Sequence, residues 1–226
     1  MSRALRIKAV LFDVDGTLVD SNDFHAEAWH EAIARFGFDI PVARIRGQIG
    51  KGADNLLPAL LPADFLEARQ AELERYRGEL FTRDYLGRIE PFAGVCALFE
   101  RVASANIRIV LASSGTDDEV SHHLDLIGCR DLVESRTTRD DAARSKPCPD
   151  IFQAALATLD GVAPAEAVMV GDSPYDMIAA GKIGLARIGL LCGGFPAVQL
   201  RETGADELYD SPCDLLARFD SSLLMA

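Results

Sequence analysis

A doubly wound α/β domain built on a parallel sheet, with a helical segment inserted into it, is the fold class this sequence of 226 residues predicts. Three observations predict it. Short, almost wholly apolar runs recur along the chain, as in strands buried on both faces. Patterns with helical spacing separate these runs, and strand–helix alternation builds parallel sheets. The alternation fails between about residues 22 and 86, where only helical patterns occur.

The first run is Ile7 to Phe12, with Lys8 its only polar residue, and Asp13 to Thr17 closes it as a turn. Helical patterns then cover Asp23 to Phe36, Val42 to Arg46, Asn55 to Leu61 and Phe65 to Leu80. The junctions fall near Val19 to Ser21 and near Leu86 to Phe92, where Gly87 and Pro91 suit a hinge. Residues 1–18 and 88–226 are therefore expected to form the α/β core, and residues 19–87 a small helical domain inserted in it. In Val95 to Ser104, the residues Val95, Leu98, Phe99 and Val102 fall on helical spacing. The second strand is Ile107 to Ala112, and a helical hairpin follows it. A helix at Ile151 to Leu159 leads to a strand at Ala167 to Val170. Ala186 to Leu191, with Arg187 inside it, is the next strand, and Asp206 to Tyr209 a weaker last one. This is a Rossmann-like succession.

Composition bounds the function. Apolar residues make up 49% and charged residues 26%, an ordinary globular balance. Lys and Arg total 23 against 35 Asp and Glu, a net charge of -12. That balance argues against nucleic-acid or anionic-membrane partners, which need a basic face. Cys96, Cys129, Cys148, Cys192 and Cys213 show no C-x-x-C spacing and are odd in number, so reduced thiols are expected rather than disulfides or zinc. No apolar run is long enough to span a bilayer. Asp13 and Asp15 cut short the apolar run near the N-terminus, so a signal peptide is not expected and the cytoplasm is the expected location.

In open α/β sheets, ligands bind beyond the carboxyl ends of the strands. Asp13, Asp15, Gly16 and Thr17 follow the first strand, and Ser113, Ser114 and Gly115 the second. Lys146 comes after the hairpin, and Asp172 and Asp176 after the strand at 167. Asp13, Asp15 and Asp172 together place about three negative charges in one crevice. Two like charges ~4 Å apart at an effective dielectric of ~20 repel by roughly 4 kcal/mol. Lys146 alone does not offset this. A divalent cation does, and hard oxygen ligands without nearby His or Cys point to Mg²⁺. Gly16 lets backbone approach a ligand, while Thr17 and Ser113 offer hydroxyls. Lys146 can neutralise a transferring phosphoryl group, and a carboxylate can be a nucleophile toward phosphorus.

These residues carry a resemblance. AVLFDVDGTLVDS resembles the first signature of the haloacid dehalogenase superfamily, IVLASSG the second, KPCPDIF the third and VMVGDSPYDMIAAGKIG the fourth, in the family's order. The resemblance implies a phosphatase in which Asp13 is the nucleophile. Asp15 protonates the leaving group and then activates water, and Ser113 and Lys146 bind phosphoryl oxygens. It also implies Mg²⁺ held by Asp13, the Asp15 carbonyl and Asp172, with Asp176 in support. The helical insertion resembles the cap of the phosphoglycolate phosphatase and β-phosphoglucomutase group. Its RGQIGKG stretch resembles the loop that enters the site, which makes Arg46 and Lys51 candidate substrate ligands, and His25 a further one. Gly16, Thr17, Ser114 and Gly115 complete the expected substrate-binding set.

Other readings stand beside these. Ser173 to Asp176 also forms a capping box, and Ser113 competes with Ser114 as phosphate ligand. His122, His123 and Trp29 read as structural residues. The expected partner is a small phosphorylated metabolite, phosphoglycolate before sugar phosphates, and the expected state a monomer or homodimer. The rival functions are a phosphosugar mutase of the β-phosphoglucomutase type and an inactive phosphate-binding regulator.

Overall fold

The structure, a computed structural model, describes residues 6–225; residues 1–5 of the expected core and residue 226 lie outside them. Strand β1 (Ala9–Phe12) leads into helices α1 (Asn22–Arg35), α2 (Val42–Arg46), α3 (Ala53–Leu56) and α4 (Ala63–Asp84). Then follow α5 (Val95–Ser104), β2 (Arg108–Ala112), α6 (Asp117–Ile127), β3 (Ser135–Thr137) and α7 (Asp150–Ala157). The chain ends with β4 (Ala167–Gly171), α8 (Pro174–Gly181), β5 (Ala186–Leu190), α9 (Ala197–Glu202), β6 (Glu207–Tyr209) and α10 (Pro212–Ala217).

All six strands are parallel, in the order β3-β2-β1-β4-β5-β6. The predicted α/β class with a doubly wound parallel sheet is the one observed. Side chains alternate between two cores. Val10 and Phe12 of β1 join Val168 and Val170 of β4 on one face. Ala9 and Leu11 join Ala167 and Met169 on the other. Phe12 packs on Phe99 of α5, with ring centroids 5.0 Å apart. Between β1 and α5, the described residues contain helices and isolated bridges but no strand, and they close over a third core that includes Trp29, Ile33, Leu57 and Leu73.

The two chain crossings into this helical layer are bonded to each other. Val19 bridges Pro91 in antiparallel fashion, Asp20 N donates to Glu90 O at 2.9 Å and Phe92 N to Leu18 O at 2.9 Å.

Differences from the sequence reading have local causes. β3 carries no apolar run, only Ser135, Arg136 and Thr137, and it is pairing with β2 that makes it a strand. The helix expected over Asn55 to Leu61 is α3 followed by a 3₁₀ turn at Leu57–Ala59, where Pro58 lacks the amide an α-helix needs. α4 runs further than expected, to Asp84.

Phe99→Ala removes a fully buried ring under the first strand. It should lower unfolding stability by about 3–5 kcal/mol, read from urea denaturation.

Candidate active site

Strand order places the site. The chain winds outward from β1 to β3, then returns to build β4 to β6 on the other side, so β1 and β4 flank the switch point. Phe12 is in register with Val170, and Asp13 N donates to Val170 O at 2.9 Å. Asp13 and Asp172 therefore emerge side by side.

Lys146 reaches this point from the loop before α7. Its Nζ lies 2.5 Å from Asp13 Oδ1 and 2.7 Å from Asp176 Oδ1, and all three side chains are buried. The contact with Asp13 is a hydrogen bond; that with Asp176 is an ion pair whose angles do not make one. Thr17 Oγ1 lies 3.3 Å from Asp13 Oδ2 and 3.2 Å from Asp172 Oδ1, so its hydroxyl orients the carboxylates instead of facing a substrate. Gly16, at φ +77°, is needed for a related reason: a Cβ there would collide with the Asn22 amide and the Asp172 carboxylate. It makes room for protein, not for the expected ligand.

Charge is the dominant feature. Burial, then the Asp176 charge, push Asp13 up to about 7 against the pull of Lys146. Burial and the charges of Asp13 and Asp176 push Asp172 well above the carboxylate range. For Lys146, burial opposes the charged form, but Asp13 and Asp176 outweigh it and raise the ammonium further. Each of Asp13, Asp172 and Asp176 can offer one carboxylate oxygen, and these oxygens lie within 4.8 Å of one another. Asn22 Oδ1 is buried beside them without a donor. Three hard oxygen donors facing one ammonium fit a divalent cation of the Mg²⁺ kind. Asp176 also caps α8 as the sequence suggested, its Oδ2 accepting from Ser173 N at 3.0 Å and Ser173 Oγ at 2.6 Å. Asp176 thus caps α8 and also stands in the cluster of three carboxylates.

Asp15 points the other way, toward α1. Ser21 Oγ donates to its Oδ1 at 2.6 Å, and His25 Nε2 lies 2.9 Å from the same oxygen. Arg77 of α4 donates to His25 Nδ1, so Nε2 carries the hydrogen given to Asp15. Arg77 also lies 3.5 Å from Glu119 of α6. Burial works to raise Asp15, but His25 overcomes it and holds the carboxyl well below the usual range.

Asp13 and Asp15 open onto a cavity of about 340 Å³ between the helical layer and the sheet. Its wall includes His25, Lys51, Ser114, Gly115 and Lys146 among the expected residues. Ser114 Oγ is buried there without a partner, whereas Ser113 Oγ accepts from Gly115 N at 3.0 Å and lies behind the wall. Lys51 Nζ donates to Gln48 Oε1 at 2.6 Å and sits 4.6 Å from the Tyr175 ring centre. Arg46 is not in the wall. It pairs with Asp23 at 2.6 Å and donates to the Gly193 carbonyl, so the expected substrate contact is replaced by one between the helical layer and the core.

A profile of haloacid dehalogenase-like hydrolases matches residues 7–184. The chain belongs to the haloacid dehalogenase-like hydrolase family. It is 32% identical to a phosphoglycolate phosphatase of Cupriavidus necator over 92% of this chain and 91% of that one. It is 30% identical to a β-phosphoglucomutase of Bacillus subtilis over 81% and 83% of the two chains. A crystal structure of a hydrolase from Pseudomonas syringae superposes with a TM-score of 0.87 at 30% identity, covering 95% and 98% of the two chains.

Sequence reasoning missed four residues of this hydrolase's site: Asn22, Arg77, Glu119 and Arg139. Glu119 had a signal, since Thr116 and Glu119 form a capping box that starts α6. Arg77 had none; it is one of four arginines on α4, and only the fold separates it from Arg69, Arg75 and Arg83.

The raised carboxyls set a pH dependence. Asp13 and Asp172 hold protons in the metal-free folded protein at pH values where the unfolded chain has lost them. For Asp13 this stabilisation is full below about pH 4 and is lost as pH rises through about 7; for Asp172 it is lost at pH values well above the usual carboxylate range. Asp172→Asn removes one such group. With chelator present, its melting temperature relative to the parent should climb as pH rises above about 4; a pH-independent difference contradicts the assignment.

Proposed function

We propose that this hydrolase is a Mg²⁺-dependent phosphatase acting on a small phosphate monoester through an aspartyl phosphate on Asp13. One observation carries the reading: a buried carboxylate at the switch point, 2.5 Å from Lys146, opens onto a cavity shared with a second carboxylate, Asp15. Burying such charges costs stability, which favours a functional reason for the pairing.

The steps balance on this chain's own groups. A carboxylate oxygen of Asp13 attacks phosphorus as the bond to the leaving oxygen breaks. Asp15 gives that oxygen a proton. Water then attacks phosphorus, Asp15 takes its proton, and the bond to Asp13 breaks, releasing phosphate. The hydrogen bonds from Ser21 and His25 favour ionised Asp15, the form the water step needs. A phosphoryl anion bound beside it favours the protonated form that the first step needs. Lys146 and the Ser114 hydroxyl, both in the cavity wall, bind phosphoryl oxygens. Asp13, the Asp15 carbonyl and Asp172 would hold Mg²⁺, with Asp176 in support, and the bound ion would supply positive charge against the carboxylates and the phosphoryl group.

Residues 19–87 act as a cap over the core of 1–18 and 88–226, excluding bulk water when shut. The cavity is at the small end of the ~300–1,000 Å³ typical of ligand pockets, which suits a small metabolite. Phosphoglycolate is the first candidate, supported by the relatives that bear that activity's name and by Lys51 and Arg139 in the wall, where a carboxylate can be met. Sugar phosphates are second, because Trp29 and Glu74 offer a ring face and a hydroxyl acceptor in the same wall.

Phosphate release from a panel of phosphorylated metabolites tests the function. Asp13→Asn should lower kcat by at least about 10³-fold, and chelation should abolish turnover. Turnover near the parent rate in either case refutes the mechanism. Lys51→Ala should raise KM for phosphoglycolate about tenfold and leave KM for a hexose phosphate within about threefold; equal shifts would remove Lys51 from specificity.

A further inference from the structure

The stretch from Arg46 at the end of α2 to Lys51 docks on the segments that carry and support the metal-facing carboxylates. Arg46 donates to the Gly193 carbonyl, and its guanidinium lies 5.5 Å from the Phe195 ring centre. Tyr175 Oη, two residues from both Ser173 and Met177 on the segment after Asp172, donates to the Gly47 carbonyl at 2.5 Å. A Cβ at Gly50 would come within 2.6 Å of Ser173 Oγ, and Lys51 lies over the Tyr175 ring.

The Gly193 carbonyl receives a second donor from the helical layer. Asn22 Nδ2 reaches it at 3.0 Å while also donating to Asp172 Oδ2 at 2.8 Å. Gly193 itself lies against Asp172, since a Cβ on it would collide with that carboxylate. Gly194, at φ +87°, keeps the way open for Arg46; a Cβ there would come within 2.8 Å of Arg46 Nη2. Two adjacent glycines thus leave room for one carboxylate on one side and one guanidinium on the other.

We propose that Arg46, with Asn22 and the Gly193 carbonyl, is a latch through which cap closure and Mg²⁺ binding at Asp172 strengthen each other. Arg46 and Asn22 are positioning residues. When the cap shuts, Arg46 fixes Gly193, and Gly193 and Asn22 fix the rotamer in which Asp172 meets the ion. By linkage, the ion favours the shut cap by the same factor that the shut cap favours the ion. The inference rests on the Mg²⁺-dependent reading above.

The sign of one measurement separates this latch from simple electrostatics. Arg46 is a cation near the metal-facing carboxylate, so by charge alone its removal strengthens Mg²⁺ binding. The latch requires the reverse. The chain has one tryptophan, Trp29, and it sits in the cap wall of the cavity, so its emission reports cap position. Full-length protein is stripped with chelator, dialysed and titrated with MgCl₂ without substrate, followed by calorimetry and by Trp29 emission. The parent should bind Mg²⁺ with a shift in emission. Arg46→Ala should raise the Kd about tenfold and shrink that shift, with its far-UV circular dichroism unchanged. Arg46→Lys, which keeps a donor for Gly193, should stay within about threefold of the parent; it also serves as the test if the alanine variant does not fold, a Kd and emission shift matching the parent's then supporting the latch and a tighter Kd opposing it. Arg46→Ala binding Mg²⁺ as tightly as the parent, or more tightly, overturns the latch and leaves the phosphatase reading intact. A parent that binds no Mg²⁺ overturns both.

Discussion

The site depends on one imbalance of charge: Asp13, Asp172 and Asp176 are buried together and meet a single ammonium, Lys146. A core that only had to fold would not hold this arrangement, because buried like charges repel in a medium that screens them weakly. The sheet enforces it. β1 and β4 pair in register, so the loops that leave them cannot avoid each other, and α8 starts with a capping box that fixes Asp176. The rigid, fully buried strands carry the cost of holding the carboxylates close. That is the general advantage of mounting a charged site at the switch point of a parallel sheet.

The two carboxylates that open onto the cavity differ by their surroundings. Asp13 faces the core with a lysine and two acids, while Asp15 faces the helical layer with a serine hydroxyl and an imidazole. From Asp15 a chain of contacts runs through His25 and Arg77 to Glu119, leaving the core for the helical layer and returning to it. His25 is stacked on Phe81 with ring centroids 4.3 Å apart, and Arg77 lies over Trp29 and Phe81. The aromatic packing of the inserted helices thus sets the position of a group that belongs to the core.

Much of this was legible in the sequence, for a physical reason. A strand buried on both faces must be apolar, so the first polar residue after it marks the sheet's ligand-binding edge; that rule alone picked out Asp13, Ser113 and Asp172. Residues whose role depends on a distant partner were not legible. Arg46 read as a cation free for substrate, yet its acceptor Gly193 is 147 positions away and has no side chain to signal it. The hydroxyl of Thr17 read as a ligand for phosphate and instead bonds to two carboxylates. Ser113 and Ser114 differ by one residue, and only the direction of each side chain puts Ser114 in the cavity wall.

The paired crossings at Val19 and Pro91 impose a limit on mechanics. Two linkers bonded edge to edge resist shear and torsion far better than two separate threads, so the easy movement left to the helices is a swing about that seam. A swing moves each point in proportion to its distance from the axis. Asn22 follows Val19 by only three residues, whereas Arg46 and Gly50 meet the core at the segments after β5 and β4. A swing at the seam therefore engages or parts those contacts.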